Sequence, residues 1–383
     1  MNDVPCALGM FAAAKHRISA VNRITDETGE EHMNKDWADK NKRMQSLIGK
    51  EAGFREGLDV LFDLRGDLFG QITSIVNTFP AEAFYQMPFA GAEGYHSKTL
   101  AYSMWHIFRI EDIVAHTLIA RDDQVLFTDG WLEKTKSPLI TTGNELKGAD
   151  IARFSEQLDV KAVYGYCGAV MDATNALLQK LEYRDLKRKF TDEDKERLIN
   201  SRCVSTDEDA FWLIDYWCGK DIRGLIQMPF SRHWIMHIEA MRRIKNKLCQ
   251  KARKGVDPIA YCGLSCNHCF LGDWCGGCRT AYNTCSDAKC APDGICPNTA
   301  CCKGKGLDGC WECGDMTDCR KGFYAYDDIN AIKAMALFIR KHGKKELAAV
   351  LDRLHQQYQF EKIQEVLGEG LEQGLAILEQ NRN

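Results

Sequence analysis

The chain has 383 residues, of which 45% are hydrophobic and 27% charged, and its formal net charge at pH 7 is -4. A chain of this length can bury a large core, and two domains are expected. The small charge gives no long-range attraction to nucleic acid or acidic membranes, so neither is predicted as a partner. The first ten residues, MNDVPCALGM, hold no lysine or arginine. No apolar run approaches the roughly 18 residues of a membrane span, which predicts a cytoplasmic protein.

The spacing of apolar residues predicts helices through the first 257 residues, and strand patterns are nearly absent. Residues 1–48 are mixed and charged, and they are interpreted as an N-terminal extension. The predicted helices, in chain order, cover 54–77, 99–121 and 160–183, then a short helix from a Ser205/Glu208 capping box to Trp217, and a last long helix from Ser231. Long amphipathic helices with polar connections favour an all-α fold, with a four-helix bundle over residues 49–257.

A change of composition after Pro258 predicts a domain boundary at that point. Residues 258–325 are rich in Gly, Asp, Asn and Cys and show neither a helical nor a strand period. Such a segment cannot fold by burying aliphatic surface, so we expect a small cysteine-rich module stapled by metal. Helices resume in residues 326–383, first from Asp327 to Gly343 and then near 345–357 and 359–379.

Three histidines are predicted to share a metal ion. His233 and His237 are four residues apart on the last long helix, so both point from one apolar stripe. His106 lies on the apolar face of the second long helix, whereas His116 falls on its more polar side. Three inward imidazoles leave coordination positions of the metal free for water or substrate, as in a catalytic metal site. The alternative is three core histidines bonded to backbone carbonyls.

This order of histidines resembles the DinB/YfiT-like superfamily, over about residues 50–253. That family comprises four-helix bundles with a three-histidine metal site, and it includes thiol-dependent S-transferases and a mycothiol-dependent isomerase. The resemblance implies a divalent metal (Zn, Ni or Fe) on His106, His233 and His237, with a low-molecular-weight thiol as co-substrate. The segments that flank the third long helix are long, so the mouth of the pocket is expected to differ from the family.

Thirteen of the eighteen cysteines fall between Cys262 and Cys319. In a reducing compartment, this density indicates metal binding more often than disulfides. A CxxC turn points both sulfurs in the same direction, which suits one tetrahedral ion. The three such pairs are Cys266/Cys269, Cys275/Cys278 and Cys310/Cys313. The first two pairs are expected to close one site, and the third pair is expected to belong to another.

The same block resembles an uncharacterised cysteine-rich family that opens CGL-x-C-x-x-C, continues through CxGC and ends with a CxxC pair and a last cysteine. The likeness covers about residues 260–325 and adds Cys262 and Cys319 to the candidate ligands, but the family lends no established activity. Candidates for additional sites are Cys285, Cys290, Cys296, Cys301 and Cys302. Zinc, an iron–sulfur cluster and disulfides all stay open. The C-x3-C-x2-C spacing that starts at Cys262 also occurs in radical SAM enzymes, but the strands of their barrel do not follow.

Two classes of function follow from these sites. The first is a metal-dependent transferase that moves the sulfur of a thiol to a small electrophile, because a metal-bound thiol is deprotonated at neutral pH. The alternative is a cysteine-rich protein for metal handling or for redox and stress sensing, with a non-catalytic bundle. A nucleic-acid reader is not expected, because the cysteine block carries four basic residues against seven acidic ones.

Overall fold

The structure is a computed structural model that describes residues 34–269, 275–283, 285, 295–325 and 330–382. The described chain is mostly helical and contains no strand beyond two isolated β-bridges. The predicted all-α class is therefore confirmed. Among these residues, no helix has both the length and the hydropathy that crossing a membrane requires.

The described residues divide into two compact units. The N-terminal unit comprises residues 34–76 and 81–244, and the C-terminal unit comprises residues 77–80 and 245–382. The finer predicted division into an extension, a bundle, a cysteine-rich module and C-terminal helices stays a prediction.

The helices that begin in the N-terminal unit include all those expected from apolar spacing. They are α1 (Lys35–Ile48), α2 (Phe54–Thr78), α3 (Leu100–Asp112), α4 (Trp131–Thr135), α5 (Ala149–Gln157), α6 (Val160–Lys180), α7 (Asp192–Ser201), α8 (Glu208–Cys218), α9 (Ile222–Gln227) and α10 (His233–Arg253). Wider π-helical turns extend α3 over Ile113–Ala120 and precede α10 over Met228–Arg232. The predicted capping box is wrong, because α8 is capped by Asp207, whose carboxylate accepts from the N–H of Asp209.

Helix α1 lies within the segment interpreted as an extension. Its N-terminus is capped by the side chain of Asn34, and its buried residues include Trp37, Met44 and Ile48. These three apolar side chains recur at helical spacing, so one face of an otherwise charged helix is covered. The end of the predicted extension is therefore part of the folded N-terminal unit.

Helix α3 is buried on all sides, since every residue from Leu100 to Asp112 is inaccessible to solvent or nearly so. The side predicted to be more polar is not solvated: Arg109 and Asp112 are fully buried and pair at 2.8 Å. A helix that is buried all round must satisfy its charges internally. Its ionic side chains therefore connect α3 to the segments around it.

The C-terminal unit is built from shorter helices. They are α11 (Pro297–Lys305), α12 (Asn330–His342), α13 (Lys344–Gln357), α14 (Phe360–Gly368) and α15 (Leu371–Gln380). The single helix predicted over 359–379 is wrong, because the chain is extended at Gly370. A Cβ on Gly374 would lie 2.4 Å from the carbonyl oxygen of Leu367, so the absence of a side chain lets the two short helices pack closely.

The cysteine-rich segment and the helices that follow it share one apolar core. The buried members of this core include Cys262, Trp311, Met335 and Phe338. Gly263 is the glycine of the CGL motif: its φ is +101°, and a Cβ there would meet the Cβ of Ala336 at 2.8 Å. Packing against α12 therefore also stabilises this segment, which was predicted to depend on metal alone.

Candidate metal centre

Three histidines meet in the N-terminal unit. One ring nitrogen from each of His106, His233 and His237 lies within 4.8 Å of the other two. Nε2 of His106 lies 3.3 Å from Nε2 of His233. Two nitrogens bound to one tetrahedral zinc lie about 3.3–3.4 Å apart, since Zn–N bonds are about 2.0–2.1 Å. The spacing of this pair is therefore that of two ligands on a single ion.

All three rings are buried, with exposed fractions of 5% for His106, 7% for His233 and 3% for His237. Burial, the largest cause, and the charge of Lys98 together lower the pKa of His106 to about 4, against a hydrogen bond to the Thr142 carbonyl that raises it. Burial and the neighbouring rings hold the pKa of His233 and of His237 well below the ordinary value. All three imidazoles are thus neutral at pH 7, which is the form that binds a metal.

The tautomer of His106 follows from its hydrogen bond. Its Nδ1 lies 2.8 Å from the carbonyl oxygen of Thr142. A carbonyl can only accept, so Nδ1 carries the proton and donates, and Nε2 presents its lone pair to the other two rings. Metal-ligating histidines usually hold their second nitrogen in this way.

His233 and His237 lack the outer hydrogen bond that orients His106. The Nδ1 atom of each ring is buried and has no hydrogen-bond partner among the described residues, as is also the case for Nε2 of His116. The alternative of three carbonyl-bonded core histidines therefore describes His106 only. Because the Nε2 atoms of His106 and His233 are the ones that face each other, an ion between them would leave Nδ1 of His233 unpartnered as well. The convergence of the three rings is what fits a divalent metal.

A strap of four residues, 140–143, fixes the position of His106. Its successive carbonyl oxygens accept from side chains of α3, namely Arg109, Trp105, His106 and Tyr102, at 2.7, 3.1, 2.8 and 3.0 Å. The ring of Tyr102 also stacks on that of His106, with centroids 5.4 Å apart. The strap therefore sets both the tautomer and the orientation of this ring.

A buried ion pair lies next to the α10 histidines, and no local pattern in the sequence indicates it. Arg65 on α2 donates through both terminal nitrogens to Glu111 on α3, at 2.8 and 2.7 Å. Nε1 of Trp234 donates to the same carboxylate at 2.8 Å, and the guanidinium of Arg65 lies 4.4 Å from the centroid of the Trp234 ring. Because Trp234 follows His233 directly, this group anchors the start of α10 to α2 and α3.

The start of α10 has an irregular backbone. The π-helical turn over Met228–Arg232 contains Pro229, which has no N–H to donate. The carbonyl of Phe230 instead accepts from Arg65 at 3.1 Å, and Ser231 Oγ donates to the carbonyl of Ile226 at 3.0 Å. Such wide turns are frequent at functional sites. This one sets the rotation of α10 about its axis, and with it the direction in which the His233 ring points.

His116 lies outside the group, as its position on the helix predicted. Its Nδ1 is 2.7 Å from a carboxylate oxygen of Asp122. Two residues that the sequence did not single out lie beside the three rings instead. Tyr95 packs edge-on against His237, with centroids 4.9 Å apart, and is 46% exposed. The ammonium of Lys98 lies 5.1 Å from the Tyr102 ring.

The predicted cysteine ligands are placed differently from the histidines. Cys290 lies outside the described residues, and no disulfide joins any two of the described cysteines. No three cysteine sulfurs of the described chain lie within 4.8 Å of one another. Cys310 contacts Cys302, with sulfurs 3.6 Å apart. Its CxxC partner Cys313 is partly exposed, as are Cys301 and Cys319.

Comparison with protein-family models, with curated proteins and with solved structures found no match for the chain. The resemblances to the DinB/YfiT-like superfamily and to the cysteine-rich family therefore stay predictions. Support for the metal centre comes from its geometry.

Tyr102→Phe is expected to weaken metal binding about 10-fold. This is the lower end of the range, about 10–100-fold, that is usual for substitutions of residues around the metal ligands. The variant keeps the ring stacked on His106 but removes the hydroxyl that binds the Gly143 carbonyl, so the strap loosens. Competition with a chromogenic chelator measures the affinity. The control is Tyr164→Phe, which removes a hydroxyl that contacts Thr73 Oγ1 at 2.9 Å. An equal loss in both variants would contradict the role of the strap.

Proposed function

We propose that the N-terminal unit is a metal-dependent catalyst that transfers the sulfur of a low-molecular-weight thiol to a small electrophile. The observation that carries this proposal is the convergence of three neutral, buried imidazoles, with the Nε2 atoms of His106 and His233 3.3 Å apart. Three protein ligands leave room for one from outside the chain. A bound Zn, Ni or Fe ion supplies Lewis acidity that lowers the pKa of a thiol. The all-α fold, with histidines on α3 and α10, supports a DinB/YfiT-like bundle as the architecture.

Lys98 is the residue suited to hold an anionic substrate beside the metal centre. It is half-buried, and its charge depresses the pKa of both His106 and His237, so its ammonium lies within electrostatic reach of the rings. A cation that is partly withdrawn from water attracts a thiolate or carboxylate more strongly than an exposed one. Lys98 therefore favours a thiol that carries negative charge.

Tyr95 marks the side from which a substrate reaches the centre. Its ring contacts His237 and is exposed, whereas the three imidazoles themselves are almost fully covered. Rings covered to this degree are out of reach of a macromolecular surface, so a substrate would have to be a small molecule. The proposed substrates are thus small thiols and small electrophiles.

Turnover is tested by screening small thiols with a reactive electrophile, using native and metal-stripped protein. Lys98→Gln is expected to raise KM several-fold for thiols that carry a carboxylate, with a smaller change in kcat, because Lys98 binds the substrate. Lys161→Gln, at an exposed position on α6, should match the native protein. Equal rates in native and metal-stripped protein would contradict the proposal and favour the sensing alternative.

A further inference from the structure

A cavity lies within the C-terminal unit. Four of the cysteines that line it are Cys266, Cys269, Cys275 and Cys278, and three more are Cys262, Cys285 and Cys296. We call this space the cysteine cavity. A buried cysteine packs like any small hydrophobic residue, and its chemistry usually decides why it is present. Packing alone does not explain why seven thiols surround one space.

The two CxxC pairs in the wall are mutual neighbours. Cys266, Cys269, Cys275 and Cys278 all contribute to the lining of this one cavity. Thiols grouped in this way lose their protons when a cationic metal centre binds among them.

The backbone beside these pairs comes close to the cavity. Gly277, between Cys275 and Cys278, also lines the cavity and has a φ of +84°, which favours glycine. The N–H of Cys266 donates to the Pro258 carbonyl at 2.7 Å, which fixes the start of the first pair. The side chain of Arg253 adds a cation to the wall. The positive charge of Arg253 thus favours a bound group with negative charge in the cavity.

The spacing of the sulfurs distinguishes a single ion from a cluster. A tetrahedral zinc with four thiolates holds its sulfurs about 3.8 Å apart, since Zn–S bonds are about 2.3 Å. Within the described chain, no three cysteine sulfurs come within 4.8 Å of one another, although seven cysteines line one cavity. An iron–sulfur cluster places its own iron and sulfide atoms between the ligands, so its thiolates lie farther apart.

We propose that the cysteine cavity holds an iron–sulfur cluster bound by Cys266, Cys269, Cys275 and Cys278. Four cysteine thiolates are the usual ligand set of both [2Fe–2S] and [4Fe–4S] clusters. The site belongs to the C-terminal unit, and it does not rest on the function proposed for the histidines.

The first test uses the full-length chain purified without oxygen. It should contain about two to four acid-labile sulfides per chain, at least as much iron, and a broad visible absorbance. His233→Gln should leave the sulfide content and the absorbance unchanged, which separates this site from the histidines. Zinc without sulfide would overturn the proposal. So would a chain that takes up no sulfide after anaerobic incubation with ferrous iron and sulfide.

The second test assigns the ligands. Cys266→Ser should lower the sulfide content several-fold, whereas the matched control Cys319→Ser, at a partly exposed cysteine that does not line the cavity, should keep the native content. Each variant is reconstituted with iron and sulfide once its far-UV circular dichroism matches that of the native protein. If Cys266→Ser does not fold, Cys275→Ser replaces it. Native uptake by a folded ligand variant, or equal losses in ligand variant and control, would overturn the ligand set.

Discussion

Replacing His233 with glutamine is expected to remove one divalent metal ion per chain while the helical content stays native. Changes around a ligand already weaken metal binding about 10–100-fold, so the loss of a ligand should cost about 100-fold or more. The fold should persist, because the packing of α10 comes mainly from Trp234, Met241 and Ile244, which are fully buried. Metal analysis after dialysis against a weak chelator, together with circular dichroism, measures both effects.

His116→Gln is the matched control for this experiment. His116 is also a buried histidine, with 8% of its surface exposed, but it pairs with Asp122 outside the metal centre. This variant should keep the native metal content. If it loses as much metal as His233→Gln, or if His233→Gln keeps its metal, the three histidines do not form a metal site.

The positions of the three histidines could be predicted because each lies on a regular helix. A rotation of 100° per residue places His233 and His237 on one face of α10, and it places His106 on the inward face of α3. Beyond Asp112 the helix changes to wider π-helical turns, so the same arithmetic is less exact for His116. Helical periodicity thus predicts the side of each helix on which the ring lies, but it does not predict the distance between the helices.

The surroundings of the rings could not be predicted, because they depend on contacts between distant residues. The strap over 140–143 binds α3 through backbone carbonyls, which carry no sequence signature. Lys98 and Tyr95 come from an irregular segment before α3. Arg65 and Glu111 are 46 positions apart and each looks like an ordinary charge in its own helix. Only the tertiary fold makes these residues neighbours.

The helix boundaries show the same limit. Apolar spacing predicted α2 closely, because buried residues such as Leu61, Leu68 and Ile75 recur along its whole length. Helix α1 was overlooked, since its buried face depends on a few residues in a charged sequence. The break at Gly370 was also missed, because it reflects the close approach of Gly374 to Leu367 rather than a change of period.

Glu111→Gln is expected to lower the free energy of unfolding by about 3–5 kcal/mol, the usual cost of breaking a buried ion pair from one side. Both partners are fully buried, and the change leaves the Arg65 charge without a counter-ion in the core. The substituted amide keeps the shape of the side chain, so the loss reflects charge rather than a cavity. Denaturant unfolding followed by circular dichroism measures the change.

Glu56→Gln is the matched control, because Glu56 pairs with Arg43 at 2.7 Å on the surface, where the side chains are 55% and 63% exposed. Exposed pairs contribute about 0–1 kcal/mol, so this variant should unfold almost as the native protein does. Glu111→Gln should also weaken metal binding, because the one amide oxygen of glutamine replaces two carboxylate oxygens that accept from Arg65 and Trp234, which loosens the start of α10 beside His233. If the two variants lose equal stability, the buried pair is not what holds α2, α3 and α10 together. If Glu111→Gln loses stability but keeps native metal affinity, the three ligands are held by their own helices and by the strap.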